Sequence, residues 1–271
     1  MDKDYIEKDP ANNIDINTSN IIKNKTITKS TIDNLEITVL EEDNSHFDLS
    51  FKIIVIGDSG VGKSCLTIKA TKNDFMENSN ATVGFEFFSF NMKIDNKIVK
   101  LQIWDTCGME IYRSLITNFY RNSALAIVMY SVDNSKSFEN TSLWLKELKS
   151  YSNPDIQVFL IGNKVDLEDK RQVAKEIAQQ FTKDQNVNMF LESSAKSGFN
   201  AQKVFIEAGK LLYMNYLNYS SKRNSRSSSI DSQSIDNYHS RIQFPTNSNL
   251  TNNISMNQDI LKGKSKSGCC K

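Results

Sequence analysis

The sequence predicts an α/β domain in which helices cover both faces of a mostly parallel β-sheet. Within residues 51–215, short apolar runs alternate with segments of helical periodicity, the order that strand–helix–strand units produce. The first of these runs leads directly into a glycine-rich turn, and eight of the ten glycines lie in this range. We therefore place one folded domain at residues 51–215.

The strands are predicted from apolar runs and from alternation of apolar and polar residues. Residues 51–56 (FKIIVI) are typical of a buried strand. Residues 86–94 and 97–104 alternate, and Asp95-Asn96 between them predicts a hairpin turn. Further buried strands are predicted at 124–130, 156–161 and 188–191.

Helices are predicted in the intervals between these strands, where apolar residues recur with helical spacing. Their approximate ranges are 63–73, 110–121, 135–151, 171–183 and 199–215. In the third of them, Phe138, Leu145 and Leu148 form one apolar face, with Trp144 beside them. A helix between consecutive strands lets those strands run parallel.

The two flanks of this domain, residues 1–50 and 216–271, are predicted to be mostly disordered. The first is acidic, with five Lys against eleven Asp and Glu, and the second is a basic segment dominated by Ser and Asn. Neither flank buries enough apolar surface to offset the conformational entropy of the chain. Residues 35–40 (LEITVL) are an exception, since this apolar run suits a short strand.

Composition also excludes several classes of protein. No run of about 18 apolar residues predicts a membrane-spanning helix. The polar N-terminus lacks the apolar core of a signal peptide, and Asp2 stands where myristoylation requires glycine. The four cysteines have neither a disulfide nor a zinc spacing, and the basic tail lacks the aromatic residues of a nucleic-acid site. We expect a cytosolic protein that does not bind nucleic acid.

A phosphate-binding loop is predicted at Gly57-Asp58-Ser59-Gly60-Val61-Gly62-Lys63-Ser64, which matches the pattern G-x-x-x-x-G-K-[ST]. Glycines let successive backbone N–H groups close around phosphate oxygens, and the following helix N-terminus favours negative charge. Lys63 supplies a positive charge to the β and γ phosphates, and the Ser64 hydroxyl can ligate Mg²⁺. The alternative is a glycine-rich turn without function, which the preceding strand and following helix disfavour.

The base is predicted from Asn163-Lys164-Val165-Asp166, which follows the strand at 156–161. A carboxylate at Asp166 accepts from both N1–H and the 2-amino group of guanine, whereas adenine has a lone pair at N1 and no 2-amino group. Loss of such paired polar contacts discriminates strongly between ligands. Ser194-Ala195-Lys196 after the last strand adds a backbone donor for the guanine carbonyl. The alternative is an ordinary Lys–Asp pair in a loop.

These motifs together resemble the Ras superfamily of small GTPases over residues 51–215, and within it the Rab proteins. The resemblance is carried by GDSGVGKS, by Thr82-Val83-Gly84-Phe85-Glu86-Phe87 and by residues 100–108 (KLQIWDTCG), and more loosely by residues 109–115 and 119–123. It implies a six-stranded sheet with one antiparallel edge strand and five helices.

The resemblance also implies roles for single residues. Thr82 would contact Mg²⁺ and the γ-phosphate, Asp105 would hold Mg²⁺ through water, and Gly108 would donate its N–H to the γ-phosphate. Phe75 would stack on guanine, or else belong to the core. The implied metal ligands are Ser64, Thr82 and Asp105. The implied catalytic residues are Lys63, Thr82, Gly108 and Met109. The implied nucleotide contacts are Asp58, Ser59, Gly60, Val61, Gly62, Lys63, Ser64, Cys65, Phe75, Thr82, Asp105, Gly108, Asn163, Lys164, Asp166, Ser194, Ala195 and Lys196.

These implied roles predict that the domain senses the γ-phosphate. The loops that carry Thr82 and Gly108 each gain a bond only when the third phosphate is present. Residues 79–87 and 105–115 would form the surface for effector proteins, with Phe85, Trp104 and Tyr112 as aromatic anchors or as structural residues. An exchange factor, a GTPase-activating protein and a prenyl-Rab chaperone are further implied partners.

Met109 stands where family members usually have glutamine. That glutamine orients the attacking water, whereas a thioether cannot donate a hydrogen bond and accepts only weakly. We expect intrinsic hydrolysis to be at least roughly tenfold slower than in a glutamine-bearing relative, about 1.4 kcal/mol of barrier. An activating protein can supply both an arginine and a glutamine in trans. Two other departures, Cys107 for alanine and Tyr130-Ser131-Val132-Asp133 for the usual Tyr-Asp pair, do not touch this chemistry.

The chain ends in Gly268-Cys269-Cys270-Lys271, a pair that resembles the Rab pattern of double geranylgeranylation. Two lipid chains anchor a protein firmly where one is marginal, and Lys262, Lys264 and Lys266 would add attraction to anionic lipid. The alternative is a free cysteine pair. The Ser-rich stretch 225–234 is a linker or a phosphorylated segment.

The function predicted from the whole sequence is a membrane-anchored GTP/GDP switch that recruits effectors in vesicle trafficking, on the cytoplasmic face of membranes with a cytosolic pool. The alternative is a GTP-held interaction module with negligible hydrolysis. Residues 163–166 disfavour a third reading, an ATPase or kinase.

Overall fold

A computed structural model of the chain describes residues 36–40, 46–75, 82, 84–108, 119–224 and 242–243. Within these residues the chain forms eight strands, five α-helices and one 3₁₀ helix at Val165–Lys170. In chain order the elements are β1 Ile37–Leu40, β2 Leu49–Gly57, α1 Lys63–Lys72, β3 Phe85–Ile94, β4 Lys97–Thr106, β5 Leu125–Ser131, α2 Ser135–Glu139, α3 Thr141–Tyr151, β6 Gln157–Asn163, α4 Lys175–Asp184, β7 Met189–Glu192, α5 Ala201–Asn224 and β8 Ile242–Gln243.

All strands belong to one sheet in the order β1-β3-β4-β2-β5-β6-β7, with β8 paired to β2. The five neighbouring strands β4, β2, β5, β6 and β7 run parallel to one another. Strand β3 runs antiparallel to β4, to which the predicted hairpin at Asp95-Asn96 connects it. The predicted fold class is therefore confirmed, and all six predicted strands are present. Strand β1 widens the sheet to seven strands, and β8 adds a short pairing with β2 outside that order.

The short strand predicted at residues 35–40 is confirmed as β1, and it changes which strand forms the edge. It pairs antiparallel with β3, from Ile37 opposite Ile94 to Leu40 opposite Asn91. Ile37 and Val39 pack against the core while Thr38 is exposed, so apolar alternation holds the strand in register. An edge strand leaves backbone groups unpaired, and β1 pairs part of the outer edge of β3.

The predicted flanks contribute more structure than expected. Helix α5 continues to Asn224, beyond the predicted end at 215, because Tyr216 and Leu217 still pack against the core. Strand β8 lies within the predicted tail and pairs antiparallel with Ser50 and Phe51 of β2. The buried side chain of Ile242 belongs to the same core.

Two hydrophobic clusters fill the space on the two faces of the sheet. The larger packs the sheet against α1 and α5, and the smaller packs it against α3 and α4. The predicted apolar face of the third helix is confirmed, since Trp144, Leu145 and Leu148 are buried in the smaller cluster.

Two helix predictions need correction. The helix predicted at 135–151 is divided at Asn140 into α2 and α3. The helix predicted at 171–183 begins only at Lys175, because the preceding backbone of Gln172 and Val173 donates to the Val132 carbonyl. Residues 110–118, where another helix is predicted, lie outside the described part of the chain. No helix among the described residues is both long and apolar enough to cross a membrane.

The contact of β8 with the domain predicts the effect of Ile242→Asp. A carboxylate at this buried position loses apolar contact and is costly to desolvate. Because β8 is only two residues long, we expect the segment to detach while the domain stays folded. Amide hydrogen exchange at residues 242–243 should rise to the rate of unprotected amides. The core variant Phe51→Ala should instead lower the melting temperature of the whole domain, and unchanged protection in Ile242→Asp would contradict the assignment of β8.

Candidate functional site

The predicted site residues meet along one rim of the sheet, at the carboxyl ends of the parallel strands. The predicted phosphate loop follows β2, Asp105 lies at the end of β4, and the segments at 163–166 and 194–196 follow β6 and β7. Ligands of open α/β sheets bind at this edge, because loops from neighbouring strands converge there. The topology therefore brings together motifs that are about a hundred residues apart in the chain.

The phosphate loop approaches its neighbours so closely that only glycine fits at two positions. A Cβ on Gly57 would lie 2.2 Å from the carbonyl oxygen of Met129, and a Cβ on Gly62 would lie 2.4 Å from Nδ2 of Asn163. Both residues also have positive φ, 141° and 94°. The turn after β2 thus has the tight backbone curvature that lets successive N–H groups face one ligand.

Lys63 is buried beneath this loop. Its Nζ donates to the carbonyl oxygens of Gly57 and Asp58, each at 2.9 Å, and the residue is 5% exposed. Burial lowers the pKa of this ammonium, while the nearby Asp105 carboxylate favours its charge. The side chain is thereby held at the place where the motif requires a cation.

Three side chains from separate segments bring oxygen atoms together next to the phosphate loop. The hydroxyl of Ser64 lies 2.7 Å from the hydroxyl of Thr82, and it donates to Oδ2 of Asp105. Asp105 is fully buried, and its Oδ1 accepts no hydrogen bond from the described residues. Burial raises the pKa of this carboxyl to about 6. Hydroxyl and carboxylate oxygens are the ligands that Mg²⁺ prefers, so this cluster fits the predicted metal.

The start of the second predicted effector segment lies directly against the phosphate loop. A Cβ on Gly108 would lie 2.4 Å from both the carbonyl carbon of Asp58 and the nitrogen of Ser59. The preceding residue, Cys107, is buried and donates its N–H to the Gly84 carbonyl at 2.9 Å. The two effector segments are therefore hydrogen-bonded to each other, and one of them contacts the loop backbone.

Asn163 joins the base-recognition segments to the phosphate loop. Its Nδ2 donates to the Val61 carbonyl at 2.9 Å, and its Oδ1 accepts from the Ala195 N–H and the Ser193 hydroxyl, each at 3.2 Å. Because the residue is buried, these contacts satisfy both ends of its amide. Asn163 thus holds three loops together, and its predicted contact with the nucleotide stays a prediction.

Asp166 is oriented by a neighbouring loop and remains exposed. Its Oδ1 accepts from the Ser194 hydroxyl at 2.5 Å, and Ser194 also accepts from the Ser197 N–H at 3.0 Å. Lys164 has a positive φ of 67°, which turns the chain between β6 and the 3₁₀ helix. This arrangement directs a fixed carboxylate at the rim, as base recognition requires.

The remaining predicted contacts are placed as follows. The Ala195 N–H donates to Oδ1 of Asn163, which fixes the segment 194–196 against the other loops. Phe75 is half-buried and packs against the larger core cluster. Lys196 is exposed and Cys65 is half-buried. Met109, Cys269 and Cys270 lie outside the described residues.

Two contacts of Asp58 were not predicted. Its Oδ2 accepts from Nδ2 of Asn140 at 2.7 Å, and its Oδ1 accepts from Nε1 of Trp144 at 2.8 Å. The sequence placed Trp144 on the apolar face of a helix, and nothing in its spacing indicated a polar partner more than eighty residues away.

An aromatic cluster includes part of the first effector segment, and we define it as Phe85, Phe87, Trp104 and Phe119. The ring centroids of successive pairs are 4.5–5.4 Å apart, and Phe85 and Phe87 are 38% and 50% exposed. The Nζ of Lys52 lies 5.3 Å from the centroid of Trp104, and burial lowers the pKa of this lysine to about 8. The sequence singled out Phe85 and Trp104 but missed Phe119, and Tyr112 lies outside the described residues.

Comparison with known proteins covers the same part of the chain. The model of the Ras family matches residues 52–214. Ras-related protein RHN1 of Nicotiana plumbaginifolia is 41% identical over 169 residues, which are 62% of this chain and 84% of that protein. Ras-related protein RABA1i of Arabidopsis thaliana is 41% identical over 62% of this chain and 76% of its own. GTP-binding protein ypt3 of Schizosaccharomyces pombe is 42% identical over 59% and 74%.

The glycine contacts predict a difference between two alanine substitutions in one loop. In Gly60→Ala the new Cβ meets no atom within 4 Å. The substitution should lower the free energy of unfolding only by the strain of a positive φ of 78°, about 1–2 kcal/mol. Gly57→Ala overlaps the Met129 carbonyl of β5, so a buried strand has to move and the cost is well above about 2 kcal/mol. Chemical unfolding measures both, and equal costs for the two variants would contradict the close approach at Gly57.

Proposed function

The chain belongs to the Ras family and is a Rab-like small GTPase, and on that premise we propose that it works as a lipid-anchored switch in vesicle-mediated membrane trafficking. The observation that carries the proposal is the contact among Ser64, Thr82 and Asp105. Thr82 belongs to the predicted effector segment 79–87, so occupancy of the metal and phosphate site and the arrangement of that segment are linked.

Each part of the nucleotide has residues suited to it. The phosphates bind the N–H groups of the loop at 57–64, and the charge of Lys63 opposes theirs. Ser64 and Thr82 would hold Mg²⁺ through their hydroxyl oxygens and Asp105 through water, and the ion would neutralise charge on the β and γ phosphates. Asp166 accepts from the guanine N1–H and 2-amino group, and this pairing excludes adenine.

The third phosphate controls the two effector segments. Thr82 and the N–H of Gly108 bind the γ-phosphate of GTP and lose that contact when it is hydrolysed. Because Cys107 donates to the Gly84 carbonyl, a shift of one segment is transmitted to the other. Two members of the aromatic cluster, Phe85 and Phe87, belong to segment 79–87 and are exposed. Effector proteins selective for the GTP state therefore bind at this cluster.

Hydrolysis is the step at which this chain departs from the pattern usual in the family. Met109 follows Gly108 and offers no hydrogen-bond donor to the attacking water. The GTP state is consequently long-lived, and an activating protein that supplies its own arginine and glutamine ends it. The second candidate function, a GTP-held interaction module, differs only in having no such assisted turnover.

Met109→Gln tests this explanation by single-turnover hydrolysis of pre-bound GTP with Mg²⁺. We expect at least roughly tenfold faster hydrolysis, because the amide can both donate to and accept from the water. Met109→Leu keeps an apolar side chain of similar size and should remain as slow as the parent. Equal rates in parent and glutamine variant would show that another group orients the water. Acceleration of the parent by an activating protein separates the cycling switch from the GTP-held module.

Membrane attachment is proposed at Cys269 and Cys270, with the neighbouring lysines adding electrostatic attraction. Two geranylgeranyl chains bury far more hydrocarbon than one, which is why a pair of cysteines gives stable anchoring. A prenyl-Rab chaperone would cover the chains when the protein leaves the membrane, and this accounts for a cytosolic pool. The protein then acts on the cytoplasmic face.

Replacement of the cysteines tests the anchor independently of GTP chemistry. After prenylation, the parent should sediment with anionic vesicles, and Cys269→Ser/Cys270→Ser should remain in the supernatant. Each single serine variant should bind more than tenfold more weakly than the parent, since one chain is marginal. Vesicle binding by the double variant at the parental level would exclude these cysteines as the anchor.

A further inference from the structure

The phosphate loop is fixed from one side by helix α3. Both carboxylate oxygens of Asp58 are engaged there, Oδ2 by the Asn140 amide at 2.7 Å and Oδ1 by the Trp144 indole N–H at 2.8 Å. Hydrogen bonds to an ionised acceptor are stronger than those between neutral groups. The second residue of the loop is therefore tied to a helix that contributes no residue to the predicted nucleotide contacts.

The two donors are themselves held firmly. Asn140 precedes α3 directly and Trp144 lies four residues later, on the same face, and the backbone N–H of Trp144 donates to the Asn140 carbonyl at 3.1 Å. Trp144 is 1% exposed and packs in the smaller core cluster, which leaves its ring little freedom. The division between α2 and α3 falls at Asn140, which turns its amide toward the loop.

The backbone of Asp58 is the point at which the functional parts of the site meet. Its carbonyl oxygen accepts from Lys63 at 2.9 Å, and its carbonyl carbon lies against Gly108. A rotation of Asp58 would therefore move the lysine of the phosphate loop and the glycine of the second effector segment together. Fixing the Asp58 side chain fixes the main chain that the phosphates require.

We propose that Asn140 and Trp144 are positioning residues of the nucleotide site, which hold Asp58 so that the loop stays preorganised and nucleotide is released slowly. The proposal rests on the nucleotide binding of the proposed function, and it is independent of the membrane anchor and of Met109. A preorganised loop binds phosphate without first having to become ordered. Loss of this preorganisation should appear mainly as faster release of the nucleotide.

The test is the release rate of a fluorescent GDP analogue from the full-length protein in Mg²⁺ with excess unlabelled GDP. Trp144→Phe removes the indole N–H and keeps an aromatic ring in the core, and we expect about tenfold faster release. Asn140→Ala should accelerate release in the same direction. The matched control is Leu148→Val, which removes one methylene group from the same core one turn further along α3. It should lower the melting temperature without changing the rate of nucleotide release.

A double-mutant cycle separates positioning from a merely structural effect. Asp58→Ala should itself speed release, and adding Trp144→Phe to it should give no further acceleration, because the contact is already absent. If Asp58→Ala retains no nucleotide, Asp58→Asn serves in its place and should reduce the effect of Trp144→Phe. An unchanged release rate in Trp144→Phe, or full additivity with the Asp58 variant, would overturn the proposal. Failure of the parent to bind GDP would instead refute the proposed function.

Discussion

The structure depends on the close approach of three chain segments to the loop after β2, which is possible only without side chains. Gly57 faces the Met129 carbonyl, Gly62 faces the Asn163 amide, and Gly108 faces the backbone of Asp58. Any Cβ at these positions would separate the loop from β5, from the base-recognition segment or from the second effector segment. Gly57 and Gly108 thus allow two main chains to touch, and Gly62 allows the Asn163 side chain to approach the loop.

Much of this arrangement is predictable because local signals determine it. The strands and the hairpin are encoded by runs and alternation of apolar residues, and the loop and base segments by short motifs. The parallel topology then places Ser64, Asp105 and Asp166 on one rim. The position of Thr82 beside Ser64 was implied only by resemblance to a family, since no local pattern brings the two hydroxyls within 2.7 Å.

The features that the sequence did not predict are long-range pairings of side chains. Trp144 has the spacing of a core residue, and only the fold shows that its one polar atom meets Asp58. The Asn163 amide bonds to two neighbouring loops, a contact that the motif alone did not indicate. Strand β8 has a composition typical of a disordered tail, and its place depends on one apolar side chain, Ile242, that reaches the core. Such pairings involve few residues and leave no periodicity.

The docking of β8 has a consequence for the reach of the chain beyond it. The pairing partners of β8, Ser50 and Phe51, lie at the start of β2, the opposite pole from the nucleotide rim. From Gln243 to Cys269 the chain extends at most roughly 90 Å, whereas from Asn224 it would extend roughly 150 Å. The position of β8 therefore limits how far Cys269 can lie from this pole of the domain. By packing into the core, Ile242 thus determines the greatest distance at which the cysteine pair can lie from the domain.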